Sequence, residues 1–150
     1  MLFTISQLQP DDRDAWQRLY HGYAEFYKVP MNDRILDAVW AWIFDPDEPF
    51  YALVARSAEG RPIGFMHFRA MASPLRGRKA GFLDDLFVEP ACRGSGVTDE
   101  LFAALASYAR EQGWPFVRWI TAENNYRGRG AYDRISNKTH WLTYQLDVDA

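Results

Sequence analysis

Cysteine is nearly absent: Cys92 is the only one in 150 residues. One cysteine excludes an internal disulfide and any cysteine-rich zinc site. No apolar run approaches the roughly 18 residues that a membrane-spanning helix needs. Basic charge is also lacking. Lys and Arg total 17 against 20 Asp and Glu, for a net charge of −3, which counts against a dedicated nucleic-acid binder. The start, Met1-Leu2-Phe3-Thr4, has no charged leader followed by a long apolar stretch. These absences lead to an expectation of a cytoplasmic domain with no membrane and no nucleic-acid partner. His21, His67 and His140 are scattered without metal-ligand spacing, so no metal is expected and structural or surface roles are. No repeat or linker divides the chain, and one domain over residues 1–150 is expected.

Aromatic residues are plentiful, at 16%, enough to line a core and a pocket. Phe3 to Leu8 alternates as a strand. Pro10-Asp11-Asp12 then opens a helix with Trp16, Leu19, Tyr20 and Tyr23 on one face. A second helix is expected over Asp33–Phe44. Strands follow over Phe50–Arg56, Ile63–Ala72 and Phe82–Val88, with Pro74–Lys79 as a polar loop. A helix over Val97–Gln112 stops at Gly113. Phe116–Thr121 reads as a buried strand, Asn125–Ile135 as a short helix, and Trp141–Leu146 as a closing strand. This order mixes hairpin and crossover connections. The predicted class is α/β (α+β), a mixed, largely antiparallel twisted sheet flanked by helices.

The informative stretch runs from Gly81 to Gly113: an apolar strand carrying Asp84 and Asp85, a glycine-punctuated turn, then an amphipathic helix. Strand, glycine loop and helix start together present backbone N–H groups to an anion. Other readings of the loop fail on specific residues. Gly96-Val97-Thr98 lacks the lysine of a Walker A loop, and Asp99 stands where a dinucleotide fingerprint has its third glycine. Arg93-Gly94-Ser95-Gly96 lacks the glycine of a nucleophile elbow.

Arg93 and Gly96 fit the pyrophosphate loop [Q/R]-x-x-G-x-[G/A] of the GNAT N-acetyltransferases, which this chain resembles. Phe82–Pro90 is similar to the family's fourth strand, and Asn125 with Tyr132, seven apart, to its Asn and Tyr after the fifth. The resemblance implies acetyl-CoA as cofactor and direct attack by a primary amine, without an acyl-enzyme. It implies a cofactor site made of the strand end (Leu86, Phe87, Val88), the loop (Arg93, Gly94, Ser95, Gly96, Val97, Thr98) and Asn125. A backbone N–H near Val88 would polarise the thioester carbonyl. Successive N–H groups from Gly94 to Thr98 and the helix dipole suit a diphosphate.

Strand alternation sends Asp84 and Asp85 to opposite faces. By resemblance Asp84 is the general base acting through water; otherwise it is a solvated or pairing carboxylate. Asp85 reads as structural. Tyr132 is the candidate proton donor to the leaving thiolate, or an aromatic packing the last helix. Asn125 binds the pantetheine arm, or caps that helix. Cys92 lacks a neighbouring His in its motif, which disfavours a nucleophile.

The substrate side is expected from Tyr23, Glu25, Phe26 and Tyr27, a ring-and-carboxylate wall suited to a small cationic amine, polyamine- or amino-acid-like. Tyr20 is the core-facing alternative on the same helix. Thr139–Tyr144 is similar to a subgroup that includes histone- and amino-acid-acetylating relatives, which keeps lysine amines open. Homodimerisation is left open as well. Thr98 stands where the family has Gly or Ala, followed by Asp99 and Glu100. These residues motivate a second reading: a GNAT-fold domain with weakened or lost catalysis that binds CoA or a protein partner.

Overall fold

The computed structural model describes residues 2–149, which divide into two compact units between Trp119 and Ile120. The larger unit is built on a five-stranded sheet in the order β1-β2-β3-β4-β5. Its strands are β1 (Phe3–Gln7), β2 (Phe50–Ser57), β3 (Pro62–Ser73), β4 (Arg78–Val88) and β5 (Val117–Arg118). The first four pair antiparallel, and β5 joins β4 in parallel. Helices α1 (Arg13–Tyr27), α2 (Asp33–Phe44) and α3 (Val97–Gln112) complete it.

Strand alternation divides the core in two. On β2, Ala52 and Val54 face a cluster with Trp16, Leu19 and Tyr20 of α1 and Leu36 and Val39 of α2. The neighbouring Leu53 and Ala55 face Val97, Leu101, Leu105 and Ala109 of α3. Each sheet face therefore buries an amphipathic helical surface, the mixed, largely antiparallel arrangement expected of the sequence.

Local chemistry sets the helix ends. The Asn32 side chain accepts from the Ile35 N–H at 2.9 Å and caps α2. Gly113, at φ 74°, ends α3 in the left-handed region, where a glycine costs least. Asp12 and Arg56 tie α1's start to β2 through two hydrogen bonds of 2.7 and 2.6 Å. The Arg56 guanidinium beside Asp12 holds that carboxyl below its ordinary value.

Three expectations change. β5 is two residues long, not six, because its ladder with β4 stops at Phe82↔Arg118. β4 begins at Arg78, so the expected polar loop shrinks to a short 3-10 turn at Pro74–Arg76 closed by Gly77. The closing strand Trp141–Leu146 is overturned. In the smaller unit that segment has no strand among the described residues, and its side chains are exposed. An alternating apolar pattern becomes a strand only where a neighbour supplies the ladder, and none does so here. The smaller unit's helix α4 spans Tyr126–Ile135.

Candidate active site

The focal strand contains a bulge. β3 and β4 run in register from Gly64↔Val88 to His67↔Asp85, then skip to Phe68↔Leu83, leaving Asp84 as the extra residue. One inserted residue reverses the alternation of everything after it. Leu83 therefore packs toward α3, while Asp85 meets α1 through Tyr20. The backbone is re-aimed as well. The Glu89 N–H bonds to Ile63 on β3 at 2.8 Å, so alternation turns the N–H groups of Leu86 and Val88 to the opposite edge. The β5 ladder ends at Phe82↔Arg118. Along Leu83–Val88 that edge has no strand partner among the described residues.

The two acids have different surroundings. Asp84 is half-buried. Its Oδ2 is shut off from solvent without an aligned hydrogen bond, and Arg69 Nε approaches it at 3.2 Å as an ion pair. Burial raises its carboxyl above the ordinary value against the pull of Arg69, and the Asp85 charge adds to the rise. Asp85 Oδ2 accepts from the Tyr20 hydroxyl at 2.9 Å and lies 2.8 Å from His67 Nδ1. Burial pushes Asp85 up, but hydrogen bonds from His67, Tyr23 and Tyr20 outweigh it and hold the carboxyl below its ordinary value. Burial, then the Asp85 charge, raises both tyrosine hydroxyls. The two adjacent carboxyls are thus driven in opposite directions by their surroundings.

Behind Asp85 lies His67, fully buried, whose Nε2 stands 2.9 Å from the indole nitrogen of Trp16. An indole N–H only donates, so Nε2 accepts and the imidazole proton sits on Nδ1, directed at Asp85. His67 thus sets its Nδ1–H on the Asp85 carboxylate. His67 and Trp16 were not singled out as site residues from the sequence. The available signal was a lone polar side chain inside Ile63–Phe68, whose two ring nitrogens both need partners once buried.

The loop after β4 fits an anion. Gly94 (φ 80°) and Gly96 (φ 90°) take left-handed conformations open to glycine, with nothing within 4 Å of where a Cβ would stand. Gly96 precedes α3, and no side chain caps that helix, so its first-turn N–H groups point out of the helix end. Arg93 Nε donates to the Val88 carbonyl at 2.9 Å, and its guanidinium lies over the rings of Phe26 and Phe87. The Ser95 hydroxyl donates to the Cys92 carbonyl, so its proton is committed and its backbone N–H is the donor left for an anion. Val97 is buried, Thr98 half-buried, and Asp99 and Glu100 exposed. Cys92 is buried, with Sγ 3.7 Å from Glu89 Oε2, and burial and that carboxylate raise its thiol. That environment disfavours a thiolate nucleophile.

On α1, Tyr23 packs at a tilt against Tyr27, Phe26 is half-exposed against Tyr27, and Glu25 is exposed. Tyr20 is buried, the core-facing alternative, yet its hydroxyl reaches Asp85. In the smaller unit Asn125 caps α4, accepting from the Gly128 N–H at 3.3 Å while its Nδ2 donates to Thr121 at 3.0 Å. Tyr132 is half-buried on the same helix, and its carbonyl accepts from Ser136.

Residues 16–136 match the acetyltransferase (GNAT) family. The chain belongs to that family. It is 28% identical over 143 residues to a D-amino-acid N-acetyltransferase of Saccharomyces cerevisiae, covering 95% of this chain and 89% of that one. It is 30% identical over 113 residues to an aminoglycoside N(6')-acetyltransferase of Stenotrophomonas maltophilia, covering 73% and 69%. Among solved structures, the ribosomal-protein-alanine N-acetyltransferase of Brucella melitensis biovar Abortus 2308 superposes with a TM-score of 0.84 at 26% identity, covering 98% and 100%. This GNAT chain is accordingly an acyltransferase by family, with relatives named for amino-acid, aminoglycoside and protein amines. Among its described residues no helix is long and apolar enough to cross a membrane.

Proposed function

We propose that this protein is one GNAT domain that transfers an acetyl group from acetyl-CoA to a primary amine of a small, amino-acid- or polyamine-like molecule, by direct attack in a ternary complex. The observation that carries the reading is the bulge at Asp84, which sets two unlike carboxyls side by side and turns Leu86 and Val88 N–H groups to an open strand edge.

The backbone N–H groups of Gly94–Thr98, the end of α3 and the strand end Leu86–Val88 would hold acetyl-CoA, with Arg93 bracing them; Asn125 is the proposed contact for its pantetheine arm. When bound, acetyl-CoA supplies the acetyl group as a thioester, whose carbonyl carbon takes the amine's lone pair and whose sulfur leaves. Asp84, with its raised proton affinity, accepts the proton that an ammonium must lose before nitrogen can attack, directly or through water. The Val88 N–H is a fixed donor where negative charge develops on oxygen. The Tyr132 hydroxyl is the proposed proton donor to sulfur. Tyr23, Glu25, Phe26 and Tyr27 supply rings and a carboxylate for a cationic substrate. We further propose that the exposed C-terminal segment pairs two copies of the chain.

Free-thiol release from acetyl-CoA, measured across D- and L-amino acids, polyamines, aminoglycosides and a basic peptide, tests the reading. Amine-dependent release, greatest with small cationic amines, is expected. Release with the peptide alone would redirect the substrate assignment, and release with none would remove the activity.

A further inference from the structure

Trp16, His67 and Asp85 come from three elements, α1, β3 and β4, and make one directional chain of hydrogen bonds. Trp16 donates to Nε2 at 2.9 Å and Nδ1 faces Asp85 Oδ2 at 2.8 Å. Trp16, Phe65 and His67 are wholly buried, and the rings of Tyr20, Phe65 and Phe50 surround the imidazole. So many fully desolvated polar atoms are costly unless each is satisfied. Here they are, but in one protonation pattern only. A second proton on His67 would set Nε2–H against the indole N–H, two donors facing each other. The opposite tautomer would also leave Asp85 without that donor.

We propose that His67, locked by Trp16 in its Nδ1–H form, is the positioning residue of the acidic strand: it keeps Asp85 a carboxylate beside Asp84 and so governs how readily Asp84 takes a proton. The role assigned to Asp84 rests on the acetyltransferase reading; the tautomer lock does not. The groups against His67 are Trp16 and Tyr20 from α1, Asp85 from β4 and Phe50, without a titratable atom, from β2; Tyr23 of α1 reaches the same Asp85, and Asp84 is near enough to feel the imidazole electrostatically. Arg69 lies two residues along β3 and pairs with Asp84. Arg13 lies over the Trp16 ring and pairs with Asp37 of α2.

His67 does not touch substrate in this proposal. It acts through Asp85, whose negative charge opposes a second charge on Asp84. Removing that charge lets Asp84 give up its proton more easily, so the acid limb of the pH–rate profile moves to lower pH.

Nitrogen NMR of the wild-type protein reads the tautomer without any assay. His67 is expected to show an N–H at Nδ1 and an unprotonated, hydrogen-bond-accepting Nε2. An Nε2–H tautomer would overturn the lock. Trp16→Phe removes the donor and is expected to let the Nε2–H tautomer appear. His67→Phe is expected to lower kcat/KM for the amine about tenfold and shift the acid limb down, with KM for acetyl-CoA unchanged. His67→Asn, whose amide keeps a donor near Nδ1, is expected to restore most of both. An unmoved acid limb in His67→Phe, or no rescue in a folded His67→Asn, would overturn the positioning role. Carboxyl-carbon shifts of Asp84 in the same variants report the movement without turnover. A protein inactive with every amine would therefore sink the acetyltransferase reading and still leave this proposal decided.

Discussion

The Arg93 side chain reaches back from the glycine loop to the last carbonyl of β4, its Nε 2.9 Å from the Val88 oxygen. The same guanidinium lies 5.4 Å from the Phe26 ring centre and 5.3 Å from that of Phe87. One residue thus joins the loop, the open strand edge and the end of α1.

Arg93→Ala breaks all three ties. A hydrogen bond from a charged donor is worth about 1.5–3 kcal/mol, so acetyl-CoA affinity should fall at least about tenfold. Arg93→Lys keeps charge without the planar fork and should recover little. Titration calorimetry with acetyl-CoA checks both variants.

Asp84→Asn removes the proposed base. Turnover should fall about a hundredfold or more, the range for a general base. Because the Asp84 carboxyl lies above its ordinary value of 3.8, wild-type kcat/KM should decline as pH drops through that raised value. The Asn variant should lack that limb. Tyr132→Phe should instead lower kcat with little change in acetyl-CoA binding. Steady-state pH profiles distinguish the two.

Asp12 and Arg56 make a mostly buried pair, with side-chain exposures of 9% and 17%. Asp12→Asn leaves the guanidinium without its anion and should cost about 3 kcal/mol. The sign in pH follows from the lowered carboxyl. Its stabilisation is complete above the unfolded value and is lost as pH falls through the folded one. Wild type should therefore lose stability below about pH 4, and Asp12→Asn should show less of that acid loss. Urea unfolding at pH 3 and pH 6 checks it.

Much of this fold was legible because its punctuation is chemical. Asn32 and Gly113 mark ends that the helices respect, and α2 and α3 fall on the expected residues. The bulge was not legible, since nothing in Leu83-Asp84-Asp85 says which residue β3 will skip; register belongs to the pair of strands. The expectation that the two acids diverge was met in their partners, Arg69 for one and Tyr20 with His67 for the other. His67 was read as one of three scattered histidines because its partners lie 51 and 18 positions away. The closing strand failed for the complementary reason: its pattern was right and its ladder missing.

That segment sets Leu142, Tyr144, Leu146 and Val148 against Thr143, Gln145 and Asp147, with those four apolar side chains 78–89% exposed. Apolar side chains so placed commonly mark an interface. Sedimentation should find a dimer, and removal of residues 141–150 should yield a monomer. A monomeric wild type would remove the pairing.

Initial-velocity kinetics with acetyl-CoA and the best amine of the panel, joined to the intact mass of enzyme incubated with acetyl-CoA alone, test the central claim most directly. Direct attack in a ternary complex predicts intersecting double-reciprocal lines and an unacetylated protein. Parallel lines together with one stably added acetyl group, on Cys92 or elsewhere, would contradict it.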